Sequence, residues 1–166
     1  MPALILNHKA SSLALIASLG CLFSLSSFAQ GSNVTSATAK GSFSVQMAPQ
    51  SQLGETDGVS ISRLSLSKSY EGDLVATGEG EMLTARPQVQ GSAGYVAIEK
   101  VFGTLNGKSG SFVLQHSGIM GHGVQSLTIT VVPDTGTGGL TGISGSLKIN
   151  VADGQHFYEL DYSLPQ

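Results

Sequence analysis

The chain has 166 residues, 40% of them hydrophobic and only 11% charged, with 22 glycines, one cysteine and no tryptophan. Its 8 basic and 11 acidic residues give a net charge of −3, which argues against a nucleic-acid partner, because such partners demand a basic face. The composition is too apolar and too sparsely charged for a disordered chain, and the length suits one domain rather than two.

The first segment, MPALILNHKASSLALIASLGCLFSLSSFAQ, carries Lys9, then an apolar run from Leu13 to Leu25, then small residues at Ser27 and Ala29. That order is the pattern of a secretory signal peptide over residues 1–29, with cleavage expected between Ala29 and Gln30. The protein is therefore expected to be exported, periplasmic or secreted. No stable membrane anchor should remain, since the apolar run is shorter than the ~20 residues of a spanning helix. Cys21 leaves with the signal, and Leu19 stands where a lipoprotein signal would not place it. Without Cys21 the mature chain has neither a disulfide nor a thiol nucleophile. Residues 30–38, small and polar, read as a flexible leader, and 39–166 as the folded domain.

From Lys40 onward the chain breaks into short period-two segments separated by Gly, Asp, Asn and Pro, with no helical stripe. The segments predict strands near 41–47, 61–69, 73–83, 94–103, 110–117, 125–132, 145–151 and 156–164. In ISRLSLSKS, Leu64 and Leu66 alternate with Ser65 and Ser67, the pattern of a half-buried strand. In YVAIEKVF both faces are apolar: Val96, Ile98 and Phe102 share one with Lys100, and Tyr95, Ala97 and Val101 share the other with Glu99. Such a strand wants cover on both sides, an interior on one and a subunit contact on the other. Eight antiparallel strands with few charges to guard their edges favour a closed barrel, the alternative being a β-sandwich. An eight-stranded barrel is either filled by side chains or holds one small ligand.

The stretch GTLNGKSGSFVL (103–114) approaches a phosphate-binding loop, but Gly103 precedes Gly107-Lys108-Ser109 by one residue too few, and a strand follows rather than a helix. GGLTGISGSLKI (138–149) repeats its Gly and Leu frame with Ile143 in place of Lys108. The motif reads as one turn used twice, its leucine plugging a neighbouring layer.

No metal signature is present: His116 and His122 are not spaced for a common ion, and His156 stands apart. No nucleophile elbow supports hydrolysis, and no cofactor is expected. Carboxylates are few, so their placement is informative. Glu79 and Glu81 share one strand face, as do Glu159 and Asp161, whereas Glu99 lies in an apolar strand. A carboxylate turned into an apolar barrel would have a raised pKa. Of Gln115 and His116 only one can point inward, and His116 shares its face with Phe112 and Leu114. Candidate ligand-binding residues are Glu99, Gln115, His116, Glu81 and Tyr95; no residue is assigned a catalytic role.

The run GYVAIEKVFGTLNGKSGSFVLQHSG, followed by VVPDTGTGGLTGISGSLKI and GQHFYELDYSL, resembles the bacterial DUF3224 family, a domain of unknown function, over about residues 39–165. That resemblance implies a barrel like that of allene oxide cyclase, and with it a cavity and a homo-oligomer. It implies no reaction, since the cyclase's functional residues do not map onto positions here; the family motif marks Glu99, Gln115 and His116 as positions of interest. The signal peptide is a departure from family members that look cytoplasmic. Three readings follow. The first is an exported barrel binding a small, largely apolar molecule. The others are an isomerase or cyclase using a buried Glu or His, and an interaction protein that oligomerises through its outer faces.

Overall fold

The computed structural model describes residues 33–166; the expected signal peptide and Cys21 lie outside these residues. Eight strands follow in order: β1 (Val34–Thr56), β2 (Val59–Gly72), β3 (Leu74–Pro87), β4 (Ala93–Leu105), β5 (Lys108–Gly121), β6 (Val124–Val131), β7 (Ser144–Ala152) and β8 (Gln155–Pro165). Each pairs antiparallel with its sequence neighbours, and β1 pairs with β8, closing the barrel. The barrel fold expected from the strand count is the one observed, not the sandwich. Among the described residues no helix is long and apolar enough to cross a membrane.

Four of the connections are two-residue hairpins in which both residues have positive φ: Asp57-Gly58, Asn106-Gly107, His122-Gly123 and Asp153-Gly154. That is the mirror-image turn whose twist matches a right-handed strand pair, and it favours Asn or Asp followed by Gly. The Gly107-Lys108-Ser109 stretch is thus a hairpin corner and the start of β5.

The structure revises two expectations. The described part of the region read as a flexible leader is nearly all strand: β1 begins at Val34, and Val34–Phe43 pair rung for rung with β8. Ser36 and Thr38 face outward while Ala37 packs against the core, and the segment is held by the ladder and by Thr38, whose hydroxyl donates to Asp161 Oδ1 at 2.7 Å. The repeated motif, moreover, is not one corner used twice. Its first copy is the β4–β5 hairpin; its second enters β7 through a 3-10 turn (Gly138–Leu140). What the copies share is the left-handed glycine, φ 81° at Gly107 and 77° at Gly142, and the plugging leucine, since Leu105 and Leu140 are both fully buried.

The loop from Val132 to Ile143 explains the difference. It runs along the start of β5, where Thr137 N–H donates to the Ser111 carbonyl and the Ser111 N–H donates to Thr137 Oγ1. Because this loop takes the place of regular pairing, β6 and β7 share a single rung, Thr130 with Ser146. The barrel is consequently not evenly round.

The interior has two parts. A large cluster fills one end with Leu74, Val101, Leu105, Phe112, Leu140 and Leu160 among others. A small one, Leu66, Met82 and Ala97 backed by Leu64 and Tyr95, lies toward the other end. One end is therefore packed solid and the other is not. Truncating the plug tests this division: Leu140→Ala should cost about 2–5 kcal/mol, as buried leucines do, read as a lower midpoint in denaturant unfolding. A loss under about 1 kcal/mol would mean that Leu140 is not part of the packed end.

Candidate functional site

A polar cluster marks the boundary between the two interior parts. On β2, Leu66 belongs to the small cluster and Tyr70 to the large one, with Lys68 between them; on β4, Glu99 stands likewise between Ala97 and Val101. Period-two alternation turns all of these inward. Glu99 is fully buried, and Lys68 and His116 nearly so. Lys68 Nζ donates to Glu99 Oε2 at 2.8 Å and to the Tyr70 hydroxyl at 3.2 Å, and that hydroxyl donates to Glu99 Oε1 at 2.8 Å. His116, diagonal to Glu99 on β5, brings Nε2 to 3.0 Å from Oε2. Its N–H is off the line to the oxygen, so no hydrogen bond satisfies this buried nitrogen.

Lys68 and Glu99 lie on strands separated by β3, and Gly78 lets them meet. Gly78 is paired with Lys68 on one side and Val101 on the other. A Cβ at this position would overlap Glu99 Oε1 and press on the Tyr70 ring at 3.1 Å. The bare inner surface of β3 is the space through which the carboxylate leans toward β2.

This arrangement corrects the expectation of a raised carboxylate pKa. Burial alone pushes Glu99 upward, but His116, the Lys68 ammonium and the Tyr70 hydroxyl together outweigh it and hold the group below its ordinary 4.5. Tyr70 moves the other way: burial first, then the adjacent carboxylate, push it well above its ordinary 10.0. Tyr70 therefore stays protonated and donating.

Above the cluster the barrel opens as a cup of about 410 Å³, a volume within the usual range for small-molecule sites. Val45, Leu66, Met82, Ala97, Leu127 and Ile149 supply apolar wall, and Lys68 the floor. Of the three ammonium protons, two go to Glu99 and Tyr70, leaving one without an acceptor among the described residues. The Phe43 ring centroid lies 4.9 Å from Nζ.

Of the five residues expected to bind a ligand, the structure brings Glu99 and His116 together beneath the floor and sets Tyr95 in the cup wall. Glu81 and Gln115 do not join them. Both are exposed on the outer face, where they flank Ile98 in one row of rungs and Glu81 approaches Arg63 at 3.7 Å. Strand parity is the reason: opposite residues share a face, and Ile98 points outward whenever Glu99 points inward. Glu159 and Asp161 are outer residues too, paired with Lys40 and Lys148. Sequence reasoning missed Lys68 and Tyr70, although the signal was present: both continue the inward parity of Leu64 and Leu66. The outer side of YVAIEKVF, expected to be covered, is bare in the chain itself, with Val96, Ile98 and Phe102 exposed by 52%, 51% and 67%. Among the described residues no three His, Cys, Asp or Glu side chains converge as metal ligands.

The profile of a family described as "Protein of unknown function (DUF3224)" matches residues 39–162. The crystal structure of a protein with unknown function from the DUF3224 family of Shewanella oneidensis MR-1 is similar, at 45% sequence identity and a TM-score of 0.73, covering 81% of this chain and 98% of that one. No curated protein matches significantly.

Glu99→Gln should destabilise the fold by about 3–5 kcal/mol at neutral pH, because it leaves a buried ammonium unpaired, and adding Lys68→Met should recover part of that loss. Glu99 binds its proton less readily folded than unfolded. Its contribution is thus whole above its ordinary 4.5 and is lost as pH falls from there through the folded value. Denaturant unfolding across pH should therefore show the gap between wild type and Glu99→Gln narrowing in acid; a pH-independent gap would contradict the assignment.

Proposed function

This chain belongs to the DUF3224 family, and on that premise we propose that it binds a small, largely apolar molecule in the open half of the barrel, with an acceptor atom of the ligand meeting Lys68. The observation that carries the reading is the half-filled interior: an apolar cup of about 410 Å³ ending on a single underused hydrogen-bond donor. Apolar walls supply most of the affinity, and one buried donor fixes orientation. The proton-transfer reading ranks second. Glu99 is held ionised below the ordinary carboxylate range, which makes it a weak proton acceptor, and neither Glu99 nor His116 lines the cup. The signal-like leader at 1–29 supports export, so the proposal places binding outside the cytoplasm.

The test uses a neutral apolar fluorophore, N-phenyl-1-naphthylamine. Saturable binding by wild type is expected, with Kd rising about tenfold or more in Ala97→Phe, whose ring occupies the cup. Absence of binding, or equal binding by Ala97→Phe, would sink the reading.

Self-association has its own observation. The outer stripe of Val96, Ile98 and Phe102 is bare and is interrupted by Lys100, which faces Glu79 on β3, so a two-fold related copy can match both apolar and charged parts. Sedimentation velocity at micromolar concentration should show a dimer or larger species, and Ile98→Lys should release the monomer. A monomeric wild type rules this out.

A further inference from the structure

The charges around the cup are unevenly compensated, and we propose that its ligand is an amphiphilic anion, an apolar body whose outer end carries a carboxylate, sulfate or phosphate held by Arg86. This rests on the cup being the binding site. Although the chain is acidic overall, no Asp or Glu lines the cup, whereas Lys68 and Arg86 both do.

The two cations are not equivalent. Lys68 is neutralised by Glu99 at 2.8 Å, so the floor offers a donor without net charge and suits a neutral acceptor such as a carbonyl. Arg86 stands at the mouth, two positions beyond Thr84 and four beyond Met82 on the inward parity of β3. No carboxylate among the described residues reaches it; the ion pairs that Lys and Arg form are Lys40 and Lys148 with Glu159, Lys148 with Asp161, Arg63 with Glu81 and Lys68 with Glu99. The acid in its row of rungs, Glu55, lies across β2, opposite Ser60, which in turn faces Arg86. Glu55 makes no ion pair. His156 on the far wall packs its ring on Phe43, centroids 5.1 Å apart, and adds no acid.

An unpaired guanidinium at the rim of an apolar wall concentrates positive potential where a ligand's outer end must lie. Its planar fork matches an oxyanion head bidentately. A cationic head would meet Arg86 with no acid to receive it, and a neutral head would leave the guanidinium to water. The cup therefore orders its ligand from inside to outside: neutral acceptor, apolar body, anion.

The experiment compares 7-oxooctanoate, 7-oxooctanamide and a quaternary ammonium ketone of the same length by calorimetric titration of the full domain. The carboxylate should bind about tenfold tighter than the amide, the worth of one partly exposed charge-assisted contact, and the ammonium compound weakest of the three. Added salt should shrink the margin. Arg86→Gln should reduce it to about twofold or less, while Arg86→Lys, which keeps the charge but loses the bidentate fork, should fall between the two; at an exposed rim position both variants should fold. Equal binding of carboxylate and amide, or a margin unchanged in Arg86→Gln, overturns the inference and leaves the cup reading standing. If none of the three binds, both fall.

Discussion

A buried carboxylate must be paired, and the interior of this barrel is arranged around that requirement. Glu99 has no exposed surface, and an unpaired charge there would cost several kcal/mol. It is accommodated by Lys68 and Tyr70 on β2 and His116 on β5, which ties three of the eight strands to one point. Gly78 on the intervening strand is part of the same device, because any side chain there would occupy the carboxylate's space.

The cluster also divides the barrel. Below it, aromatic and leucine side chains fill the section, with the Tyr70 ring edge-on to Tyr158 at 5.6 Å and the loop before β7 folded over the start of β5. Above it, small and flexible residues such as Ala97 and Met82 leave volume unclaimed. Packing the lower half supplies the stability that an open upper half forgoes, so a cup can be kept without a disulfide.

The irregular seam between β6 and β7 follows from the same economy of chain. The segment after Val131 bonds to β5 rather than to β7, leaving one rung to close the ring. Leu127 and Ile149, on either side of this seam, both face the cup. The cup is thus walled by eight strands but least firmly held at this seam, where a single rung joins β6 to β7.

The alternation of apolar and polar residues between short turn signals was enough to establish an all-β chain of eight strands. Their closure was legible from the shortage of charged edges, and the inward position of His116 from its parity with Phe112 and Leu114. These are local properties, because a strand's period and a turn's dihedrals depend on neighbours in sequence. The partner of Glu99 was not legible. Lys68 is 31 residues away, on a strand that does not pair with β4, and only the curvature of a closed sheet, with a glycine between, brings the two together. The sign of the Glu99 pKa shift went with it, since burial and pairing oppose each other and only the fold sets their balance. The outward orientation of Gln115 followed from the inward parity of His116, but that of Glu81 could be had only once Glu99 was placed inside, and which face of β4 was inside was a tertiary decision: in YVAIEKVF both sides are apolar, and only the closed ring distinguishes them.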